Sequence, residues 1–351
     1  MKDYIILIPA YNPSSKLLEL INDLRKYNVK ILIVNDGSIT GKNVFNKIKK
    51  INNCVLLEYN DNKGKGYAMK YGMQYYLDNL KNDYKGIITV DADYQHIPSD
   101  INKLAINMGV DTIVLGSRNF YLKDIPLTNK IGNRLTSFIF KMLYGIKISD
   151  TQTGLRGIPN RFIKEAIEIE GNRFEYEMEF LIHFVNSKVD IEEIDIETIY
   201  YHKSESKFNK IIDSMKIYKV MLKESFRFLV TSLISSFLDI ILFTVGMNVF
   251  ANLNDLAIIF STFFARIAAD FLNFKLTKYF VFNSNEDEKN ILFKYYILSF
   301  AKMFTSALCV LLINKIININ TTVIKMVVDI LIYFISYRVQ KKYIFKTVSD
   351  E

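Results

Sequence analysis

Tryptophan is absent from all 351 residues, so no site in this chain packs a ring against an indole. The two cysteines, Cys54 and Cys309, lie far apart in unlike surroundings, which excludes a disulfide framework or a cysteine metal cluster. Charged residues make up only 23% against 50% apolar, which excludes a disordered or collagen-like chain. The mean hydropathy is positive, too high for an ordinary soluble enzyme, so part of the chain is expected in lipid. The apolar run that opens the sequence is short and ends in a turn at Pro9–Pro13, so it reads as neither a secretory signal nor a membrane span. At about 100–200 residues per domain, the length allows two or three domains.

The net charge of +8 is unevenly placed. Residues 1–202 carry an excess of one positive charge, 203–226 of three and 227–351 of four. A positive excess confined to a short middle segment and an apolar tail points to an anionic membrane surface and away from nucleic acid.

The front half alternates strand and helix. Strands are expected at Tyr4–Ile8, Lys30–Val34, Cys54–Glu58, Gly86–Val90 and Thr112–Gly116. Helices are expected at Ser15–Tyr27, Lys42–Lys50 and Tyr67–Leu80. Short buried strands separated by amphipathic helices give a mostly parallel, doubly wound sheet, which binds ligands at the carboxyl ends of its strands. Polar clusters fall at those ends: Pro9-Ala10-Tyr11-Asn12, Asn35-Asp36-Gly37-Ser38, Asp91-Ala92-Asp93 and Gly116-Ser117-Arg118.

Asp91 and Asp93 carry the most chemistry. Two carboxylates two residues apart, just past a strand, offer oxygen ligands to a hard cation. Mg²⁺ or Mn²⁺ there would bridge a nucleotide diphosphate and neutralise its charge as it leaves. A bare Asp-x-Asp is also what a solvated acidic turn looks like; its place after a strand, before Gln95-His96 and among the other clusters, favours the metal. Asp36 could accept from a base or ribose, or sit in an Asp-Gly turn. Lys63-Gly64-Lys65-Gly66 opens a helix where backbone amides can approach an anion, or forms a flexible turn. His96, one of three histidines, assists the metal or caps a loop. Arg118 and Arg134, the latter read in Gly132-Asn133-Arg134 at a helix start, suit a second phosphate, because a planar guanidinium fork matches phosphate oxygens; surface salt bridging is the plainer use. Glu175, Glu177 and Glu179 precede an apolar helix as N-terminal charges, unless one reaches a sugar.

These clusters, in this order, resemble glycosyltransferase family 2 with the GT-A fold. The Asp150-Thr151-Gln152 run and the Arg118/Arg134 pair narrow the resemblance to the dolichyl- and polyprenyl-phosphate sugar synthases, over about residues 3–202. The resemblance implies that Pro9, Tyr11, Asn12, Asp36, Lys63, Asp91, Ala92, Asp93, Asp150 and Gln152 face the nucleotide-sugar. It implies that Asp91, Asp93 and Gln95 hold Mg²⁺ or Mn²⁺, and that Arg118 and Arg134 grip the acceptor phosphate. Many eukaryotic-type members have Glu where this chain has Pro13, which leaves UDP-sugars open beside GDP-mannose. A processive polysaccharide synthase would carry a Gln-x-x-Arg-Trp motif, and a chain without tryptophan has none.

Behind the front half, residues 207–226 place Phe208, Ile211, Met215, Tyr218, Leu222 and Phe226 at three- and four-residue steps beside Lys207, Lys210, Lys216, Lys219 and Lys223. This reads as a basic amphipathic helix for the headgroup layer, or as a solvated linker. Four apolar stretches follow, near 228–250, 256–276, 293–314 and 323–340, each long enough for a core of about 30 Å. Lysine and arginine at Lys275, Lys278, Arg338, Lys341 and Lys342 put both chain ends on the cytoplasmic side. Asn273–Phe282 aligns without gaps to Ser336–Phe345, so the tail reads as two related hairpins and resembles the GtrA family over about 225–346. Intramembrane charges Asp239, Arg266, Asp270, Lys302 and Asp329 either pair internally or line a path for a lipid headgroup.

The expectation is a GT-A, Rossmann-like α/β domain over 1–202, an interfacial helix over 203–226 and an all-α four-helix transmembrane domain over 227–351. The expected activity is inverting transfer of a hexose from UDP-glucose, UDP-GlcNAc or GDP-mannose to undecaprenyl or dolichyl phosphate. The product would serve envelope glycan or glycoprotein modification. The enzyme would be multi-pass, with its catalytic domain cytoplasmic. Membrane lipids are expected partners, nucleic acid is not, and a homo-oligomer is compatible with the sequence. The competing function is a lipid-sugar flippase or scaffold with a nucleotide-binding front.

Overall fold

A computed structural model describes residues 1–120, 127–197, 212–253, 255–284, 287–316 and 320–345. The chain divides into two compact units, Met1–Met221 and Leu222–Glu351.

The first unit is built on a seven-stranded sheet. Its strands are β1 (Tyr4–Ala10), β2 (Lys30–Asp36), β3 (Cys54–Tyr59), β4 (Gly86–Thr89), β5 (Thr112–Arg118), β6 (Arg156–Pro159) and β7 (Asp190–Ile196), in the order β3-β2-β1-β4-β6-β5-β7. All pairings are parallel except those of β6, which runs antiparallel to both β4 and β5. β1 is buried along its whole length because helices cover both faces of the sheet. α1 (Lys16–Arg25) turns Leu17, Leu20, Ile21 and Leu24 inward at helical steps. α2 (Lys42–Ile48) follows β2, and α3 (Lys65–Asn79) follows β3. α3 lies close on β1, since a Cβ on Gly72 would come 2.4 Å from a Leu7 methyl. α4 (Pro98–Asn107), α5 (Leu127–Tyr144), α6 (Asn160–Glu168) and α7 (Glu175–Asn186) complete the layers.

The eight elements read from the sequence are present, with ends shifted by up to two residues. β6 was missed, because a four-residue strand that begins on an arginine and ends on a proline has no hydrophobic period to read. The separate interfacial segment is also corrected. Residues 203–211 lie outside the described residues, and 212–226 are the start of one continuous helix, α8 (Ile212–Val249), inside which the boundary between the units falls. Its first turns pack on the first unit: Tyr218 meets Thr136 of α5 at 3.1 Å, and the Tyr144 hydroxyl donates to the Met221 carbonyl.

The second unit continues with α9 (Asp255–Leu276), α10 (Glu288–Ile316) and α11 (Thr321–Val339). α8, α9 and α10 are long and apolar enough to cross a membrane. α11 falls short of that standard: any 18-residue window within it holds Lys325, Asp329 and Arg338. The count of four spans is therefore three by this measure among the described residues, with α11 a fourth apolar helix set apart by those three charges.

The internal repeat is visible in the backbone. α9 widens into a π-helical turn at Thr277–Val281 before Phe282, and α11 does the same at Gln340–Ile344 before Phe345, at matching positions of the ungapped alignment. Phe282 stacks on Phe345 at 5.6 Å between centroids. The flanking contacts come in matched pairs: Phe274–Phe345 at 5.6 Å and Tyr337–Phe282 at 5.7 Å, then Tyr295–Phe274 at 5.4 Å and Phe228–Tyr337 at 5.6 Å. An approximate two-fold axis thus passes between Phe282 and Phe345.

Candidate active site

The site lies at the carboxyl ends of β1, β2, β4 and β5. Asn12, with φ at +49°, folds back so that its side-chain oxygen accepts from the Ile39 and Thr40 amides at 2.8 and 2.9 Å, tying the loop after β1 to the loop after β2. Asn is one of the few residues that tolerates this left-handed backbone. Pro9 is buried within β1, and Tyr11 is half-buried just beyond it.

Asp36 ends β2. Its Oδ1 accepts from the Tyr59 hydroxyl and the Lys63 amide, both at 2.8 Å, and its Oδ2 from Asn62 Nδ2 at 2.8 Å and the Gly64 amide at 3.0 Å. The carboxylate expected to face a base or ribose is thus buried and organises the loop that launches α3. Lys63 lies exposed over the Tyr67 ring, 4.6 Å from its centroid. Gly64 holds φ at +102°, and a side chain there would meet the Asn172 carbonyl at 2.4 Å.

Asp91 follows β4. Lys65, the first residue of α3, reaches it at 2.6 Å and also lies 2.7 Å from Glu177 of α7. His96, buried, stands 3.5 Å away on the other carboxylate oxygen. Burial would raise the Asp91 carboxyl, but the Lys65 charge and His96 outweigh it and hold it well below the usual range. Asp91 also rests on Gly154, where a Cβ would come 2.4 Å from its Oδ2. Asp93 differs: burial, and then the Asp91 charge, push it upward, and Gln95 serves it at 3.1 Å from its amide and 2.7 Å from Nε2. Ala92 lies between them, half-buried.

A divalent cation fits this pair. Asp93 is a half-buried carboxylate destabilised by a like charge, the condition that a hard cation shared with Asp91 relieves. Among the described residues no group of three or more His, Cys, Asp or Glu could hold a metal. Mg²⁺ or Mn²⁺ held by one or two carboxylates would complete its shell with substrate phosphates and water. Gln95 Nε2 is turned to Asp93 in this arrangement, so Gln95 orients a carboxylate.

Arg118 ends β5, separated from β4 by β6 alone, about 9.5 Å at two strand spacings. Asp150, fully buried, accepts from Arg118 Nε at 2.5 Å and Nη2 at 2.9 Å. It therefore aims the arginine from beneath. The loop holding Asp150 is fixed from both sides. Glu193 of β7 accepts from the Ser149 and Asp150 amides, and Asn133 and Ser137 of α5 donate to the Ser149 carbonyl at 2.6 and 3.1 Å. Gln152 is half-buried, its amide 3.3 Å from Asp150. Arg134 is exposed on α5 beside Asn133, on the turn pinned to this loop; it sits in the helix interior, not at its start.

Four site residues were missed in the sequence. Lys65 stood in a motif read for its glycines, and Glu177 among charges read as helix-end decoration. Gly154 is required by close approach alone. Arg156 of β6 is fully buried, its Nε donating to the Thr153 carbonyl and Nη1 to the Glu177 carbonyl. A buried arginine in a short strand leaves no local pattern; only the fold shows it.

Comparison with known proteins agrees with this geometry. Residues 5–166 match glycosyl transferase family 2, and residues 219–345 match the GtrA/DPMS transmembrane domain. A UDP-N-acetylglucosamine–dolichyl-phosphate N-acetylglucosaminyltransferase of Methanococcus voltae is 31% identical over 236 residues, covering 61% of this chain and 92% of its own. An uncharacterized protein, MJ1222 of Methanocaldococcus jannaschii, is 32% identical over 64% of this chain and 94% of its own. The polyprenol monophosphomannose synthase of Mycolicibacterium smegmatis is 21% identical over 55% and 76%. The chain belongs to glycosyl transferase family 2. It is a glycosyltransferase and a membrane protein, a GT-A domain followed by a GtrA/DPMS transmembrane domain.

Proposed function

We propose that this glycosyltransferase moves a hexose from a UDP-sugar, N-acetylglucosamine first among the candidates, to the phosphate of a polyprenyl phosphate such as dolichyl phosphate, with inversion at the anomeric carbon. The observation that carries the reading is the pair of opposed charges at the carboxyl ends of two parallel strands two positions apart in the sheet. Asp91 and Asp93 lie past β4, and Arg118 is locked in place by Asp150 past β5. One end suits a metal-bound diphosphate, and the other suits a second phosphate. The names of the Methanococcus and Mycolicibacterium relatives support the lipid acceptor, and the first supports the sugar.

The acceptor needs no strong base. A phosphate monoester has its second pKa near ~6 and is largely dianionic at neutral pH. One of its oxygens attacks the anomeric carbon, the bond from that carbon to the diphosphate oxygen breaks, and the nucleoside diphosphate leaves with the electron pair. Arg118 binds and aims the nucleophile, with Arg134 on the adjoining helix as its second cation. Asp91 and Asp93 would hold a divalent cation, which would supply charge neutralisation for the leaving diphosphate. The loop that Asp36 organises presents amides at the start of α3 to the donor.

The tail keeps the enzyme beside its lipid acceptor. Since 61% of this chain accounts for 92% of the Methanococcus enzyme, the chemistry belongs to the first unit. Basic residues at the ends of α9 and α11 support a cytoplasmic catalytic unit. Purified full-length enzyme with radiolabelled UDP-GlcNAc, UDP-glucose or GDP-mannose and a short polyprenyl phosphate tests this. Label should pass to the lipid from a UDP-sugar, acid-labile and with inverted anomeric configuration. Release of free sugar with no lipid product, from every donor, would overturn the acceptor, and transfer from GDP-mannose alone would overturn the donor.

A further inference from the structure

Lys65 is held by two carboxylates from different elements. Its ammonium lies 2.6 Å from Asp91 and 2.7 Å from Glu177, with about one sixth of the side chain exposed. The two carboxylates are not equivalent. Asp91 stands at the edge of the open site, paired also with His96. Glu177 is buried on α7, and its Oε1 has no aligned hydrogen-bond donor even though Lys65 is close. The backbone behind it is fixed: the Glu177 carbonyl accepts from buried Arg156 at 2.8 Å. Glu177 is thus an immobile, incompletely satisfied seat beside a lysine that shares itself with a site carboxylate. Lys65 starts α3 directly after Gly64, and the Asn172 and Arg173 backbone packs against that glycine, so the base of the lysine is fixed while its head lies between two partners.

We infer that Lys65 is a positioning residue that competes with the divalent cation for Asp91, and that Glu177 is the seat to which its ammonium withdraws when the cation binds. The inference rests on the reading that Asp91 and Asp93 hold a cation. Its physical content is a competition of charges. Without metal, Lys65 neutralises Asp91 and keeps the two site aspartates from repelling each other fully. With metal, a cation and an ammonium cannot both occupy Asp91, and a buried ammonium must keep a counter-ion. Glu177, already 2.7 Å away, provides one without any backbone movement.

The two partners therefore affect metal affinity in opposite directions. Manganese binding to full-length enzyme without nucleotide, read from the free Mn²⁺ EPR signal, is the test. Lys65→Met removes the competitor and should tighten Mn²⁺ by about tenfold, the change that ~1.4 kcal/mol produces. Glu177→Gln removes the seat, leaves Lys65 on Asp91 alone and should weaken Mn²⁺ by a similar factor. Lys65→Arg keeps a competing cation and should stay near wild type. In the double variant the Glu177 effect should vanish, since Glu177 acts only through Lys65; a double-mutant cycle measures this coupling. Both single variants moving affinity in the same direction, or additive effects in the double variant, would overturn the inference while leaving the metal site standing. Mn²⁺ binding that is unchanged in Asp93→Asn would instead remove the metal reading, and the inference with it. UDP binding by each variant reports that it is folded.

Discussion

In the unit Met1–Met221 the side chains of Ile5, Ile6, Leu7 and Ile8 on β1 are fully buried, whereas in Leu222–Glu351 Phe237, Ile259, Phe304 and Leu331 stand more than half exposed. Both regions are rich in apolar residues, and the difference lies in which solvent they face. The sheet removes its apolar strands from water by covering both faces with helices. The spans of α8, α9 and α10 are only 6 to 22% buried within the chain, so their apolar surface is left for lipid. Charge is handled in the reverse way. The catalytic unit gathers charges at strand ends, and Asp93 is left strained there by its neighbour. In the tail Asp239 pairs with Arg266 at 3.2 Å and Asp329 with Lys325 at 3.0 Å, while the Ser306 and Ser299 hydroxyls donate to Asp329 and Asp270 at 2.6 and 3.2 Å.

The largest test of that contrast removes a carboxylate from each region. Asp91→Asn or Asp93→Asn should lower transfer by at least about a hundred- to a thousandfold, the scale of losing a charge stabiliser at a reacting centre. EDTA should do the same and Mn²⁺ should reverse it. Asp239→Asn in the tail should leave turnover on a short, soluble acceptor within about twofold, since it disrupts only an ion pair with Arg266, whose side chain is largely exposed. Full turnover of wild type in EDTA would remove the metal from the mechanism.

Next in size are the arginines. Arg118→Ala should weaken acceptor use by roughly ten- to a hundredfold, since a charged hydrogen bond contributes about 1.5–3 kcal/mol, with UDP-sugar affinity nearly unchanged. Lysine should rescue poorly, because a point charge lacks the planar fork. The structure adds Asp150→Asn, which should reproduce most of the Arg118 defect without touching substrate. Calorimetry with donor alongside acceptor kinetics decides this; a loss of donor affinity would move Arg118 to the other substrate.

Much of this was legible in the sequence because it is written in local periods. Strand–helix alternation gave the sheet, and the polar clusters gave its ligand-binding edge. The ungapped match of Asn273–Phe282 to Ser336–Phe345 gave two related hairpins, and the structure adds the paired π-turns and the aromatic cluster between them. What could not be read depends on contacts distant in sequence. Asp36 looked like a ligand residue, and its use by Tyr59, Asn62, Lys63 and Gly64 appears only when β2 and β3 lie side by side. The pairing of Asp150 with Arg118, 32 positions earlier, has no local pattern and appears only in the fold. Lys65 and Glu177 are 112 positions apart and share no pattern at all.

The smaller predictions concern positions that touch no substrate. Gly154→Ala would place a methyl against the Asp91 carboxylate, so activity should fall while the fold survives; Gly109→Ala, with nothing within 4 Å of its added carbon, should be silent. A circular dichroism spectrum beside an activity assay separates the two.

The smallest effect belongs to Cys54 on β3. Burial pushes its thiol up to about 11, above the ordinary value near ~8.5 of an unfolded chain. The thiolate is the reactive form, so at pH 8 only about one molecule in a thousand is poised to react. Iodoacetamide labelling of Cys54, followed by peptide mass spectrometry, should rise about tenfold per pH unit from 8 to 10 and level off near 11; in guanidinium it should level off near ~8.5. The sign for stability follows. The folded state holds this proton more tightly than the unfolded one, so the contribution is complete below about pH 8.5 and falls as pH rises toward 11. Cys54→Ser should remove that alkaline slope and leave sugar transfer unchanged. Labelling of the native enzyme that levels off near ~8.5 would show that the edge of the sheet opens to water more readily than the packing around β3 allows.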